Sequence, residues 1–204
     1  MQDEDIDWSN QFSNVLIYNK GQPLKNYEIV ENVGRESHTY YKYIYDNYDN
    51  LEDYTIFLQG NPFDHSPHVI QKLYKYIDDR SKNNLNINFE FISKNIYNCK
   101  LSLCKHHIEL KDFLLPIYNY IFDENRSLET NLSFKFGAGA QFIVSKNIIL
   151  ERSKEFYLKI INLLNHNINP IEGFIIERFH NLILDNNKNI IRLGSIESML
   201  LFIF

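Results

Sequence analysis

Short runs of apolar and aromatic residues alternate along this chain with segments in which apolar residues recur every three or four positions. The clearest run, Tyr54–Leu58, is stopped by Gly60 and has a helical pattern on either side, over residues 36–48 and 67–77. A strand between two helices needs a crossover connection, which is typical of sheets covered on both faces. The alternation therefore predicts a three-layer α/β fold with a mostly parallel sheet, in which this run is a central strand.

The same two patterns predict the remaining elements, although residues 93–110 show neither of them. No linker, charge block or internal repeat divides the chain, so residues 1–204 are predicted to form a single domain. Pro116 is expected in the first turn of its helix, where a missing N–H is tolerated. The other predicted strands are 15–18, 27–30, 87–92, 132–136 and 141–145, and the other helices are 114–122, 147–165 with a break near Arg152, and 170–184.

The composition is that of a folded globule and excludes several classes of protein. Hydrophobic residues make up 44% of the 204 residues, with 14 Tyr and 15 Phe, so most of the chain is not disordered. The net charge is 21 − 26 = −5, which argues against nucleic-acid partners, because these are bound by a basic face. No apolar run reaches the roughly 18 residues of a membrane span.

The N-terminal residues, the cysteines and the excess of Asn and Ile bear on the location and origin of the protein. The acidic start of the chain is the opposite of a signal peptide, and two cysteines are too few for a disulfide framework, so a reducing compartment is expected. The predicted location is the cytoplasm, or the host cytoplasm if the protein is viral. The sequence has 26 Asn and 27 Ile but two Ala, as an AT-rich genome would encode.

Four segments, in this order, resemble motifs of glycosyltransferase-like families. They are Asn32–Glu36 (NVGRE), Phe57–His65 (FLQGNPFDH), Phe136–Ser145 (FGAGAQFIVS) and Gly173–Phe179 (GFIIERF). One such family is the rhamnan-synthesis type. Another is an uncharacterised domain family of fungi, bacteria and giant viruses with a Phe-Leu-(His/Gln)-Gly signature. The resemblance covers most of the chain and implies a GT-A-type nucleotide-sugar fold.

The chain departs from these families at its N-terminus. In them, an Arg/Tyr-rich first strand precedes a segment like Glu4–Trp8, whereas here the sequence starts almost on that segment. The first strand of a GT-A fold usually helps to hold the nucleotide base. The departure implies a shortened or degenerate member, or a start codon placed differently.

The resemblance implies a nucleotide-sugar donor, a glycan acceptor and a set of site residues. Glu177 would be the catalytic base, and Asp64 is a second candidate catalytic carboxylate. The candidate substrate-binding residues are Tyr18, Asn19 and Lys20 on the nucleotide side, Asn32, Gly34, Arg35 and Glu36 at the donor, and Gln59 and Asn61 at the diphosphate or sugar.

The chemistry of these residues agrees with transfer but leaves structural alternatives open. Arg35 offers a planar, permanently charged fork for phosphate, and Gly34 allows close approach of the backbone. Alternatively, Arg35 and Glu36 form a surface pair at a helix start. Glu177 is either a base near an acceptor hydroxyl or one partner of a structural salt bridge.

Gln59 and Asn61 stand where many GT-A enzymes carry an Asp-x-Asp metal motif. Neutral amides are poor ligands for Mn²⁺ or Mg²⁺. Asp64, His65 and His68 are an alternative ligand set for such a divalent metal, with ordinary turn and capping roles as the other interpretation. The sequence therefore names no firm metal ligand.

Two functions from different classes follow. The first is a glycosyltransferase, in which Arg35, Gln59, Asn61 and Glu177 converge on one pocket at the carboxyl ends of the strands, with Arg35 partly exposed. The second is a catalytically inactive relative that binds glycans or acts as an interaction or virion-associated module. The missing Asp-x-Asp motif and first strand favour the second.

Overall fold

The computed structural model describes residues 4–22, 27–104, 107–129, 132–185 and 198–203. The strands are β1 (Val15–Asn19), β2 (Glu28–Ile29), β3 (Tyr54–Leu58), β4 (Phe89–Phe91), β5 (Ile96–Lys100), β6 (Ser133–Gly137), β7 (Phe142–Ser145) and β8 (Met199–Ile203). The α-helices are α1 (Arg35–Asp46), α2 (Val69–Ser81), α3 (Lys111–Phe122), α4 (Lys146–Ile149), α5 (Lys154–Leu164) and α6 (Ile171–Leu184). Short 3-10 helices cover Asp7–Gln11, Tyr48–Asn50 and Ile108–Leu110.

Six strands form the main sheet, in the order β2-β1-β8-β3-β7-β4. The pairs β1–β2, β1–β8 and β3–β8 are parallel, whereas β7 runs antiparallel to both β3 and β4. The prediction of a mostly parallel sheet is therefore wrong, because the sheet is mixed. The reversal arises at β7, which follows β6 through a short turn at 138–141 and enters the sheet from the edge at which β3 ends.

β3 is the buried centre of this sheet, as the sequence predicts. All five of its residues are buried, and it is paired on one side with β8 and on the other with β7. Successive side chains alternate between the two faces of a strand, so Phe57 joins one hydrophobic core while Ile56 and Leu58 join the other.

Each core is closed by helices, which gives the α/β sandwich three layers. Helices α1, α3, α5 and α6 supply one core, and the described part of the second core comes from α2 and the N-terminal 3-10 helix. Their apolar residues recur at helical spacing, so one face of each helix is buried. In α2, for example, the buried residues are Val69, Leu73 and Tyr76.

Several elements differ from the sequence prediction for local reasons. The predicted break near Arg152 is confirmed, since α4 ends at Ile149 and α5 begins at Lys154. Pro116 lies inside α3 rather than in its first turn, because that helix begins at Lys111. Strands β5 and β8 were not predicted. β5 pairs antiparallel with β6 in a second, two-stranded sheet that packs against α6.

The two cysteines are paired with each other. A disulfide joins Cys99 of β5 to Cys104, and both residues are buried. The pairing removes the argument for a reducing compartment, which treated the cysteines as too few to form disulfides. In the part of the chain that the structure describes, no helix is both long and apolar enough to cross a membrane.

Candidate active site

Several of the predicted site residues meet at one edge of the main sheet, where β1 and β3 end. Lys20 follows β1 and Gln59 follows β3. Because β7 is antiparallel and pairs Phe142 with Phe57, the turn that precedes it lies at the same edge. Helix α1 begins there as well, since the side chain of Glu36 reaches Gln59. Ligands of open α/β sheets bind outside such strand ends.

Glu36 and Gln59 form the centre of this edge. The Gln59 amide donates to Glu36 Oε1 at 2.8 Å, and the Glu36 side chain is almost fully buried. Glu36 Oε2 lies 3.5 Å from Nε of Arg35. A buried carboxylate is costly unless it is paired, and here a neighbouring cation and an amide share that task.

Arg35 lies across the beginning of α6. Its guanidinium is 4.0 Å from the centre of the Phe174 ring, and its Nη1 donates to Oδ1 of Asn169 at 2.8 Å. The side chain retains 24% exposure, which leaves part of the fork open to a ligand. Both Gly34 and Arg35 have positive φ angles, of 63° and 55°. A positive φ at a non-glycine residue costs of order 1–3 kcal/mol and is found at functional sites.

Gly34 precedes Arg35, and Gly173 packs against the Arg35 side chain. We expect Ala to destabilise the fold at Gly34 much more than at Gly173. A Cβ on Gly34 would lie 2.6 Å from the Cβ of His38 and 2.8 Å from that of Leu164, and its φ is also left-handed. Gly34→Ala should therefore lower the free energy of unfolding by about 2 kcal/mol or more. A Cβ on Gly173 would meet the flexible Arg35 side chain, at 2.9 Å from Cδ. Gly173→Ala should change stability by less than about 1 kcal/mol. Urea unfolding followed by circular dichroism compares the two variants. Equal free energies of unfolding would contradict the prediction that only Gly34 requires glycine.

Glu177 projects from α6 toward the turn before β7. Its Oε1 accepts from the backbone N–H of Gly139 at 2.9 Å. Desolvation, followed by the negative charge of Glu36, raises the pKa of the Glu177 carboxyl. The Gly139 hydrogen bond and the guanidinium groups of Arg35 and Arg178 act in the opposite direction without cancelling the rise. A carboxylate with a raised pKa is a stronger base, which suits proton abstraction at neutral pH.

Gly139 allows a second side chain to approach Glu177. Its φ is +88°, and a Cβ there would lie 2.5 Å from the ring of His65. His65 therefore packs directly on the turn whose N–H holds Glu177. The sequence names His65 as a candidate metal ligand, whereas the structure places it beside the candidate base.

Lys20 is buried beneath the loop that carries Arg35 and holds that loop in place. It is 8% exposed, and its ammonium donates to the backbone carbonyls of Val33 at 2.5 Å and Arg35 at 2.6 Å. Desolvation lowers the pKa of Lys20 to about 7, an effect that Glu36 opposes and Arg35 reinforces. Lys20 thus fixes the loop that presents Arg35, and is enclosed by protein instead of facing a nucleotide.

The lowered pKa of Lys20 makes stability depend on pH. Between pH 7 and the ordinary value of 10.5, the unfolded chain binds more protons than the folded chain, so the free energy of unfolding rises with pH. The rise attributable to Lys20 is on the order of 4 kcal/mol by pH 10. Lys20→Met should remove that part of the slope in urea unfolding between pH 7 and 9.5. The exposed Lys42→Met is the control, and an unchanged slope in Lys20→Met would contradict the assignment.

The N-terminal segment covers the turn after β3. Oε2 of Glu4 accepts from the backbone N–H of Asn61 at 3.0 Å, and the Trp8 indole donates to the Gly60 carbonyl at 2.8 Å. A Cβ on Gly60 would lie 2.3 Å from Glu4 Oε2, so the Glu4 carboxylate packs directly against this turn. Glu4 thus places a carboxylate beside the two neutral amides of the Gln59-Gly60-Asn61 turn.

The other predicted residues make no hydrogen bond to the Glu36–Gln59 pair among the described residues. Tyr18 is buried against Phe202, and the Asn19 side chain closes its own turn through Gly21 N–H and the Gln22 carbonyl. Asn32 and Asp64 are exposed. No site role is predicted from the sequence for Glu4, Gly139, Asn169 and Phe174. The signal that could have found Phe174 is its place in the fourth motif, GFIIERF, beside the candidate base Glu177.

The candidate metal ligands Asp64, His65 and His68 are not placed together in the structure. Among the described ranges 4–22, 27–104, 107–129, 132–185 and 198–203, no three His, Cys, Asp or Glu side chains are grouped so that they could share a metal ion. Asp64, His65 and His68 in particular do not form one, and the His65 ring is instead packed on Gly139.

A cavity of about 330 Å³ opens at the opposite, amino-terminal edge of the sheet. It lies between α2 and the beginnings of β1 and β8, and its lining is mixed: apolar side chains such as Leu73 and Leu201 alternate with polar ones that include Glu52 and Arg80. None of the candidate site residues lines it.

Comparison with protein families finds a match over nearly the whole chain. A family model described as "Protein of unknown function (DUF3431)" matches residues 1–192. The chain belongs to the DUF3431 family. No curated protein and no solved structure matches this DUF3431 chain. The roles of its carboxyl-edge residues therefore rest on their geometry.

Proposed function

We propose that this protein is a glycosyltransferase with a GT-A-like fold, which moves a sugar from a nucleotide-sugar donor to an acceptor hydroxyl. The observation that carries the proposal is the meeting of Arg35, Glu36, Gln59 and Glu177 at the carboxyl edge of the sheet. These residues come from three separate segments of the chain. A structural salt bridge would need only two of them.

Each residue has a role in the proposed reaction. Glu177 takes the proton of the acceptor hydroxyl, whose oxygen then bonds to the anomeric carbon of the donor. The bond from that carbon to the diphosphate oxygen breaks, and its electron pair leaves with the diphosphate. The partly exposed Arg35 fork offsets the charge that develops there. Glu36 and Asn169 position Arg35, and Gln59 offers its amide to the sugar or the diphosphate.

A second candidate function is a catalytically inactive relative that binds glycans or serves as an interaction or virion-associated module. Two observations favour it. Gln59 and Asn61 are neutral where GT-A enzymes often carry carboxylates. In the described part of the chain, no group of three potential ligands is placed to hold a metal ion.

Thermal-shift measurements separate the two functions. UDP-glucose, UDP-galactose, UDP-N-acetylglucosamine and GDP-mannose are tested with and without Mn²⁺. A ligand at 100 times its Kd stabilises the folded state by about 2.7 kcal/mol, so at least one donor should raise the Tm. Arg35→Ala should remove the rise. If no donor raises the Tm in either condition, the transferase proposal is contradicted.

A further inference from the structure

An aromatic strip leads away from the candidate active site along the α2 side of the sheet. It consists of Phe63, Trp8, Phe12 and Tyr74, whose neighbouring ring centres are 5.9, 6.4 and 5.3 Å apart. Phe63 is 38% exposed and Tyr74 is 49% exposed. The Trp8 and Phe12 rings between them are half-buried against the second hydrophobic core. A contiguous aromatic patch marks a binding surface more often than scattered apolar residues do.

The strip begins at the turn that carries Gln59 and Asn61. The Trp8 indole N–H is bonded to the carbonyl of Gly60, and Phe63 follows Asn61 by two residues. His65, two residues further on, packs on Gly139, whose N–H holds Glu177. Phe63 thus shares a turn with His65, which contacts the residue that holds the candidate base.

The groups around the strip determine which molecule fits it. Two of the three segments that form the strip, residues 4–12 and 59–68, contain no Lys or Arg, whereas α2 carries Lys75 after Tyr74 at the far end. They do contain exposed Asp5, Asp7, Asn10 and Asp64. Carboxylates repel phosphate groups, whereas carboxylate and amide side chains both form hydrogen bonds with hydroxyl groups. Flat apolar rings bordered by hydroxyl-binding groups match a sugar, which has an apolar C–H face and a polar rim.

We propose that the aromatic strip is the acceptor subsite and binds an uncharged oligosaccharide, with one sugar ring stacked on Phe63 beside Trp8. The inference rests on the proposed function, since it supplies the acceptor for the same site. It also names the class of substrate: a neutral glycan chain, which the strip binds along several sugar units.

The single tryptophan of the chain makes the test direct, because all indole fluorescence comes from Trp8 in the strip. The full-length protein is titrated with cellotetraose, maltotetraose, mannotetraose and chitotetraose. At least one should change the Trp8 emission saturably. Phe63→Ala should weaken that saccharide at least tenfold. Phe113→Ala is the matched control, because Phe113 is 41% exposed but belongs to α3 on the other face of the sheet, and it should bind as the unaltered protein does.

Three results would overturn the inference: no response to any of the four saccharides, equal weakening by Phe63→Ala and Phe113→Ala, or a response to phosphatidylserine vesicles alone, which would assign the strip to a membrane surface. Nucleotide-sugar binding is measured on the same samples by thermal shift. A saccharide response without donor binding would support the strip and contradict the transferase. Donor binding without a saccharide response would contradict only the strip.

Discussion

Glu177→Gln should reduce sugar transfer by about 10²–10⁴-fold while leaving nucleotide-sugar binding unchanged. The amide cannot take a proton from the acceptor, yet its oxygen can still accept the Gly139 N–H that holds the carboxylate in place. Transfer is measured as release of the nucleoside diphosphate, and donor binding by calorimetry. Glu155→Gln, an exposed carboxylate in the first turn of α5, is the control and should transfer normally.

The same substitution should also alter the pH dependence of stability. The pKa of Glu177 is raised in the folded state, so above the ordinary value the folded chain binds more protons than the unfolded chain. The free energy of unfolding therefore falls as the pH rises through that window, and Glu177→Gln should remove this fall. Normal transfer by Glu177→Gln, or loss of donor binding together with transfer, would contradict its role as the base.

Arg35→Lys should weaken donor binding by about 10–100-fold, although it keeps the positive charge. Hydrogen bonds to charged groups contribute about 1.5–3 kcal/mol, and a lysine ammonium cannot form the two parallel bonds of a guanidinium. It also loses the planar stacking on Phe174. Calorimetry with the donor that gives the largest thermal shift measures the change. Arg126→Lys, which replaces a surface arginine paired with Glu124, should bind as the unaltered protein does. Equal affinities for Arg35→Lys and the unaltered protein would remove Arg35 from the donor site.

The elements with a clear period could be predicted from the sequence. β3 has the predicted bounds, α2 begins at Val69, two residues after the start of its predicted pattern, and the break between α4 and α5 was expected near Arg152. These positions follow from local side-chain spacing, which one sequence contains in full. The pairing of strands cannot be predicted from this spacing, because it depends on contacts between distant segments. The antiparallel direction of β7 and the insertion of β8 between β1 and β3 are pairings of this kind.

Some residues of the candidate site could also be predicted from the sequence, whereas others become visible only in the fold. The motifs drew attention to Arg35, Glu36, Gln59 and Glu177, and the parallel-strand rule placed them at one edge. Glu4 was not predicted as a site residue, because only the fold shows that the N-terminal segment crosses the turn after β3. Lys20 was expected to face a ligand but is buried against two carbonyls, a distinction that depends on how the 33–35 loop folds back.

A crystal structure soaked with the donor that gives the largest thermal shift tests the central claim most directly. We expect the diphosphate beside Arg35 and Gln59 at the carboxyl edge of the sheet, with the sugar directed toward Glu177. Density for the donor in the 330 Å³ cavity at the amino-terminal edge, with none beside Arg35, would contradict the assignment of the site.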